Sequence, residues 1–162
     1  MFNFLETYDN VIDLNTVNIL RNEILRLPFY YGEVDSPEYQ PTGVVHNIKP
    51  DEKYFKYFDN LVFKLNPKCT RIQRAYINLF FSHESPHFHD DGDITTCIFY
   101  LNPELEIDQG GETQFFVNNN IIGIRSKPGR LVVFDGKILH KATSFRSFPR
   151  LTVVYKYFKN NE

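Results

Sequence analysis

Cysteine, tryptophan and methionine are scarce in this sequence of 162 residues, which has two cysteines, no tryptophan and one methionine. Cys69 and Cys97 are too few for a disulfide framework and do not have the spacing of a zinc site. Cys97 also lies within an apolar run. We therefore interpret both cysteines as reduced packing residues, in a core built largely from the 16 phenylalanine and 10 tyrosine residues.

A strong excess of charge is absent as well. The formal net charge of −2 gives no electrostatic reason to expect a nucleic acid or an anionic membrane as a partner, although a locally basic groove stays open. No basic segment followed by an apolar one begins at Met1, and no run approaches the roughly 18 apolar residues of a transmembrane helix. We expect a soluble, cytoplasmic protein without a membrane partner.

Two amphipathic helices are predicted in the N-terminal part of the chain. The first follows Asp13 or Asn15, either of which can serve as N-cap, and Pro28 ends it. The second is predicted to begin at residues 50–52 and to stop at residues 66–67. The apolar stripes of these helices are formed by Val17, Leu20, Ile24 and Leu27, and by Tyr54, Phe55, Phe58, Leu61, Val62 and Leu65.

The segments around these helices are predicted to be less regular. Residues 2–12 are typical of a strand with a turn, residues 29–34 of a strand, and residues 35–50 of an irregular loop that contains three prolines and one glycine. Loops of this length in compact domains are usually functional lids or disordered. We predict that residues 31–46 form a mobile lid.

After residue 66 the sequence indicates a β-rich region. Short segments rich in β-branched and aromatic residues alternate with turn residues, and the segment at 95–101 is apolar on both faces, as in a strand buried on both sides. Two helices followed by about eight short strands favour a β-sandwich or jelly roll with the helices on one sheet. We predict one domain over residues 1–162, with helical support at 13–66 and a β core at 70–158. The predicted strands lie at 71–81, 94–101, 113–117, 121–125, 130–135, 141–145 and 151–158.

The stretch at residues 86–93, together with His140, indicates a metal site. His89 and Asp91 are two residues apart, so on an extended backbone both side chains leave the same face. Two imidazoles and one carboxylate that leave about three octahedral positions open form the facial triad of non-haem Fe(II) oxygenases. Zinc more often takes tetrahedral His or Cys ligands, and calcium takes mostly oxygen ligands.

Arg150 follows His140 by ten residues, at the start of a predicted strand. Thr152 and Val154 share its face, so the guanidinium is expected to point into an otherwise apolar interior. A buried arginine needs an anionic partner. If no protein carboxylate is present there, a dicarboxylate cosubstrate would serve.

These motifs together resemble the prolyl 4-hydroxylase-like group of the 2-oxoglutarate and Fe(II)-dependent dioxygenases. The resemblance covers about residues 71–158 and implies a mainly β, double-stranded β-helix (jelly-roll) fold with N-terminal helices. The matching stretches are His89-Asp90-Asp91, Thr96-Cys97-Ile98-Phe99-Tyr100-Leu101-Asn102, Gly110-Gly111-Glu112-Thr113, Pro128-Gly129-Arg130-Leu131-Val132-Val133-Phe134, His140 and Arg150.

The resemblance also implies roles for individual residues. His89, Asp91 and His140 would bind iron and form the catalytic centre. Arg150 would bind the distal carboxylate of 2-oxoglutarate, and Tyr100 would hydrogen-bond the same cosubstrate. A further contact with the cosubstrate is expected from Tyr76, on the strand that enters the site.

The same resemblance implies the cofactors and the reaction. Fe(II), 2-oxoglutarate and O2 are expected, with ascorbate left open as a further cofactor. We expect hydroxylation of a prolyl residue in a peptide or protein substrate, over which the predicted lid would close. Many relatives have a tryptophan near the end of the last strand, where this chain has Lys156. We therefore expect Lys156 on the substrate side, selecting an acidic or carbonyl-rich neighbour of the proline.

Several alternatives stay open. His87 with His89 and His140 could form a three-histidine, cupin-like metal site on the same kind of barrel. Nucleic-acid demethylases of the same superfamily also combine these residue types, although their arginine lies further beyond the second histidine. Two alternatives remain. The protein could act on a free amino acid, or it could be a non-catalytic jelly-roll module.

Four other polar residues of the chain have simpler interpretations. We interpret His46 and His83 as packing residues with hydrogen bonds, because an isolated histidine in a strand-rich core is more often that than a ligand. Asp90 and Asp93 are interpreted as solvated acids of a loop.

Overall fold

Two antiparallel sheets and two α-helices make up residues 5–34 and 36–159, the part of the chain that the computed structural model describes. Residues 2–4 of the predicted strand at 2–12 lie outside that part, as does residue 35 of the predicted loop. In chain order the elements are β1 (Leu5–Tyr8), α1 (Leu14–Ile24), β2 (Tyr30–Tyr31), β3 (Val44–Asn47), α2 (Lys53–Leu65), β4 (Ile72–Phe80), β5 (Ile94–Tyr100), a 3₁₀-helix (Ile107–Gln109), β6 (Thr113–Val117), β7 (Asn120–Ile124), β8 (Leu131–Asp135), β9 (His140–Ala142) and β10 (Arg150–Phe158).

Both helices form where the apolar spacing predicted them, but α1 ends at Ile24, so Leu27 of its predicted stripe lies beyond the helix. The Asp13 carboxylate accepts a hydrogen bond of 3.0 Å from the Thr16 backbone N–H, which caps the free amides at the start of α1. The second helix begins after Glu52 and ends at Asn66, as predicted. Their buried faces consist of Val17, Leu20 and Ile24, and of Tyr54, Phe58 and Val62.

The larger sheet has seven strands in the order β1-β8-β5-β10-β4-β3-β2, and the smaller sheet has three in the order β7-β6-β9. The seven strands predicted after residue 66 are all present, with ends shifted by a few residues. The largest shift is in β9, which begins at His140 and stops at Ala142. Phe145, the last residue of that predicted strand, forms only an isolated bridge with Gly110.

Two predictions for the segment before α2 are wrong in part. The strand expected at 29–34 is limited to β2, and the loop expected at 35–50 contains β3, which pairs with both β2 and β4. Pro41 and Gly43 give this stretch the composition of a loop, but Val45, only 1% exposed, holds β3 in the core. A mobile lid therefore cannot extend to residue 46, because Val44 and His46 belong to the sheet.

The central strand β10 divides the interior into two parts. Side chains alternate along a strand, so each face of β10 meets different partners. One face carries Leu151, Val153, Tyr155 and Tyr157, which pack in the apolar cluster that also contains the buried residues of both helices. The Tyr155 hydroxyl donates to the carbonyl of Phe55 at 2.9 Å, and the Tyr157 hydroxyl donates to Asp59 at 2.8 Å.

The opposite face of β10 looks toward the smaller sheet. Val154 lies there in a second apolar cluster, which joins the larger sheet to Phe115 of β6. A cavity of about 550 Å³ lies between the sheets, and this face of β10 lines it with Arg150, Thr152, Val154 and Lys156. β5, next to β10, is buried on both faces, as its sequence predicted.

The predictions for the cysteines and for His46 are confirmed. Cys69 and Cys97 are free and buried. Both ring nitrogens of His46 have hydrogen-bond partners, the Pro28 carbonyl at 2.8 Å and the Glu52 carboxylate at 3.0 Å. His83 is instead an exposed turn residue with φ of 74°, so it is not a packing residue. Among the described residues, neither helix is long and apolar enough to cross a bilayer.

Candidate active site

His89, Asp91 and His140 converge at one end of the cavity, with their potential ligand atoms all within 4.8 Å of one another. Nε2 of His89 lies 3.8 Å from one Asp91 carboxylate oxygen, and Nε2 of His140 lies 3.4 Å from the other. The backbones of the two histidines are paired, since each donates its N–H to the other's carbonyl, at 3.0 and 2.9 Å. This pairing brings distant parts of the sequence to one point.

The imidazole rings are oriented by backbone carbonyls. Nδ1 of His140 lies 2.7 Å from the Ile138 carbonyl, and Nδ1 of His89 lies 3.1 Å from the His87 carbonyl. Because a carbonyl oxygen only accepts, these contacts favour the tautomer with hydrogen on Nδ1. Nε2 of each ring then faces Asp91, and it becomes a metal ligand when it carries no hydrogen.

The Asp91 carboxylate is held at both oxygens. Thr96 Oγ1 donates to Oδ2 at 2.6 Å, and Lys156 Nζ donates to Oδ1 at 2.7 Å. Burial alone would raise the pKa of Asp91, but hydrogen bonding with His140 and the charge of Lys156 lower it below its usual value. Asp91 is therefore a carboxylate at neutral pH.

This set of donors fits a divalent transition metal. Two imidazole nitrogens and one carboxylate oxygen supply three ligands, and the cavity on their other side leaves room for ligands that are not protein. That combination suits Fe(II) better than calcium, which prefers oxygen ligands, or structural zinc, which is usually enclosed by four protein ligands. The residues present therefore fit the iron that the sequence resemblance implies.

Arg150 lies in the same cavity and is only 2% exposed. Its Nε donates to the Gly111 carbonyl at 3.0 Å, and its Nη2 donates to the Thr113 hydroxyl at 2.8 Å. Burial lowers the pKa of Arg150, with Tyr100 acting in the opposite direction, yet a guanidinium keeps its charge in proteins. Within residues 5–34 and 36–159, no carboxylate forms an ion pair with it.

Gly111 supports Arg150 through its backbone. Its φ of +79° is strained for any residue with a side chain, and an added Cβ would lie 2.0 Å from the Phe145 ring. A glycine at this position therefore lets the chain pass close enough to offer its carbonyl to Arg150. Gly111, in one of the stretches that carry the resemblance, thus helps to hold the Arg150 guanidinium in place.

The two tyrosines expected near the cosubstrate differ in position. Tyr76 lines the cavity, with the cations of Arg74 and Lys156 at 4.2 and 5.5 Å from its ring centroid. Tyr100 is fully buried behind Arg150, and its hydroxyl shares a hydrogen bond of 2.6 Å with Thr113. In this arrangement Tyr100 orients Thr113 and, through it, the guanidinium.

Lys156 lines the cavity, as its place in the last strand implied. Its ammonium is bonded to Asp91, one of the three converging residues. The sequence also contained no indication that Thr96 supports Asp91 or that Thr113 supports Arg150. The alternation from Arg150 through Thr152 and Val154 predicted that Lys156 lies on the cavity face. It did not predict the direction in which the long side chain bends.

Residues 32–34 and 36–43 border the cavity, and Glu33, Val34 and Thr42 belong to its lining. Both carboxylate oxygens of Glu33 accept hydrogen bonds from the Arg74 guanidinium. Gly43 N–H donates to the Glu84 carboxylate at 2.7 Å. This border of the cavity is therefore polar, and hydrogen bonds hold it near both of its ends.

His87 lies apart from the three converging residues. Its ring stacks on Tyr39 with 3.9 Å between the centroids, and the group that could hold a metal does not include it. The three-histidine alternative is therefore not favoured. Asp90 and Asp93 are exposed, as expected, although Asp93 also pairs with Lys137 and Lys159, at 2.9 and 3.0 Å.

Comparison with known proteins agrees with this geometry. The sequence model of the 2OG-Fe(II) oxygenase superfamily matches residues 43–158. A prolyl-4-hydroxylase from Pseudomonas putida is 16% identical, with a TM-score of 0.75, over 97% of this chain and 93% of that one. A prolyl hydroxylase from Trichoplax adhaerens, solved with a peptide fragment of the hypoxia inducible factor oxygen degradation domain, is 18% identical with a TM-score of 0.79, over 97% and 84%.

A third similar structure is HygX from Streptomyces hygroscopicus, with nickel and 2-oxoglutarate bound, which is 10% identical with a TM-score of 0.74, over 96% of this chain and 83% of that one. No curated protein matches the sequence. At such identities the structural likeness shows the fold alone. That fold is the double-stranded β-helix, as predicted.

Proposed function

We propose, since the chain belongs to the 2OG-Fe(II) oxygenase superfamily, that it hydroxylates a prolyl residue in a peptide or protein. Members of this superfamily use Fe(II), 2-oxoglutarate and O2. The observation that carries the proposal is the shared cavity, which brings His89, Asp91 and His140 together with the buried cation of Arg150, for which the described residues offer no ion-pair partner.

In this proposal His89, Asp91 and His140 hold the iron. Once bound, iron, 2-oxoglutarate and O2 supply the oxidation, in which the cosubstrate becomes succinate and CO2 and one oxygen atom enters a C–H bond of the substrate. The three ligands leave the coordination positions that such chemistry needs. The ring orientations of His89 and His140 are fixed by the carbonyls of His87 and Ile138, respectively.

Arg150 binds the distal carboxylate of the cosubstrate. Thr113 and the Gly111 carbonyl fix the guanidinium in place, so little side-chain freedom is lost on binding. Tyr100 supports Thr113 from behind, and Tyr76 lines the wall between the two ends of the cavity. The apolar cluster around Val154 and Phe115 excludes water from this side of the site.

Support for a prolyl substrate comes from two sides. Prolyl hydroxylases are among the proteins with the same fold, and one of them was solved with a peptide. In this chain, residues 32–34 and 36–43 border the cavity, and Tyr39 of this border stacks on His87, two residues before His89. An extended peptide would lie along that border, with its proline directed toward the iron.

The test is turnover with defined products. The purified protein is incubated with Fe(II), 2-oxoglutarate and O2, together with proline-containing peptides, free amino acids or nucleic acid in separate reactions, and succinate and the mass of each candidate substrate are measured. Succinate formation with one oxygen added to proline is the expected result. Succinate with oxygen on another residue, or on a free amino acid or nucleic acid, would contradict the prolyl substrate, and absence of succinate would contradict the enzyme.

A further inference from the structure

The two donors that hold Asp91 come from neighbouring strands. Thr96 of β5 and Lys156 of β10 are direct partners in the antiparallel register, so their side chains leave the sheet side by side on the cavity face. Each donates to a different oxygen of the same carboxylate, at 2.6 and 2.7 Å. Together they fix the rotation of the carboxylate about its last bond.

Lys156 is enclosed, unlike most lysines. Its side chain is 16% exposed and that of Asp91 is 3% exposed, so the pair is largely shielded from water. The ammonium also lies 5.5 Å from the centroid of the Tyr76 ring, on the wall of the cavity. Because its ammonium is already bonded to Asp91, this lysine is not available to select a substrate.

We propose that Lys156 is a positioning residue for the metal, which fixes the Asp91 carboxylate in the orientation that coordinates it. This inference rests on the proposed function, since it requires Asp91 to be a metal ligand. Groups that orient metal ligands typically contribute about 10-fold to 100-fold to metal affinity. A positive charge so close to the site also repels a cation, and we infer that the gain from orientation exceeds that repulsion.

The experiment measures binding of Co(II) to the metal-free protein by calorimetry and follows its visible absorption, which responds to the arrangement of ligands. Three substitutions separate the properties of the side chain. Lys156→Met removes both the donor and the charge, Lys156→Gln keeps a donor without charge, and Lys156→Arg keeps both. The matched control is Lys159→Met, which removes the same charge where the lysine pairs with Asp93 and Asp135 at the surface.

We expect Lys156→Met to bind Co(II) about 10-fold to 100-fold more weakly with an altered absorption spectrum. Lys156→Arg should restore most of the affinity and the parental spectrum, and Lys159→Met should leave both unchanged. A purely structural role would lower the melting temperature of Lys156→Met without changing affinity or spectrum. If Lys156→Met does not fold, Lys156→Gln takes its place and is compared with Lys156→Arg. Weaker Co(II) binding and an altered spectrum in Lys156→Gln alone would then support the positioning role.

The outcomes distinguish this inference from the proposed function. If the parent protein does not bind one Co(II), or if Asp91→Ala binds Co(II) as tightly as the parent does, the proposed metal site is wrong. If the parent binds Co(II) through Asp91 and the uncharged Lys156 variants bind it equally tightly or more tightly, only the positioning role is overturned.

Discussion

The His89 and His140 backbones exchange two hydrogen bonds, of 3.0 and 2.9 Å, as an isolated bridge outside the regular ladder. The bridge depends on the main chain alone, so it persists when either side chain is removed. Its effect is to bring the two imidazoles together, with ring centroids 4.6 Å apart. Metal binding and folding can therefore be tested separately.

Replacing His89, Asp91 or His140 with alanine should abolish Fe(II)-dependent turnover and reduce metal binding strongly, because each supplies one of three protein ligands. The fold should be retained, as measured by circular dichroism. His87→Ala is the matched control and should still bind the metal. Loss of the metal in His87→Ala together with its retention in Asp91→Ala would establish the three-histidine site instead.

Arg150→Ala should weaken binding of 2-oxoglutarate by roughly two to three orders of magnitude, the scale on which a buried charge pair loses one partner. Titration of the Fe(II) protein with 2-oxoglutarate measures the change, while iron affinity should stay the same. Arg74→Gln is a suitable control, since Arg74 also lines the cavity but is already paired with Glu33. Unchanged affinity in Arg150→Ala would mean that another group binds the cosubstrate.

Glu33→Gln should loosen residues 36–43, which border the cavity. The Glu33 and Arg74 side chains are about one third exposed, so their ion pair contributes about 1 kcal/mol or less. Hydrogen exchange at the backbone amides of residues 36–43 should become several-fold faster, with exchange in β10 unchanged. Equal exchange in both proteins would show that Glu84 and the Tyr39 ring fasten the segment without Glu33.

Asp9 should make stability depend on pH. Two hydrogen bonds from Arg130, with the charge of Lys127, lower the pKa of Asp9 against a smaller opposing effect of burial. A carboxyl with a lowered folded pKa stabilises the protein above its unfolded pKa of about 3.9, and that stability is lost as the pH falls through the folded value. Asp9→Asn should thus cost about 1 kcal/mol at pH 7 and progressively less below about pH 4.

Urea unfolding of the parent and of Asp9→Asn at several pH values measures this difference. About 1 M salt should reduce it, because Asp9 is exposed and its interactions are screened. A difference that stays constant down to about pH 2 would mean that the ion pair with Arg130 is not its cause.

Periodicity was sufficient for most of the fold. The apolar stripe of α2 and the two-faced β5 are local signals, and both are confirmed. β3 could not be predicted in this way, because four residues are too few for a pattern and its stability comes from pairing with β4. Pro41 and Gly43 just before it favoured a loop.

For the candidate site, spacing identified the residues that converge but not their supports. The joint spacing of His89, Asp91 and His140 predicted one cluster, and the structure contains it. The Thr96 hydroxyl and the Lys156 ammonium reach Asp91 only through the register between β5 and β10. That register is a long-range property, so no local pattern revealed these contacts.

The position of β10 in the middle of the seven-stranded sheet, with β2 and β3 at one edge, separates two kinds of change. Edge strands open at a lower free energy than central ones, so the border of the cavity can fluctuate while β10 stays paired. Insertions or substitutions before β3 can then alter which substrates are admitted without altering the oxidative centre. Selection for a new substrate would thus act on the edge of the sheet, while the centre of the sheet is constrained by both chemistry and folding.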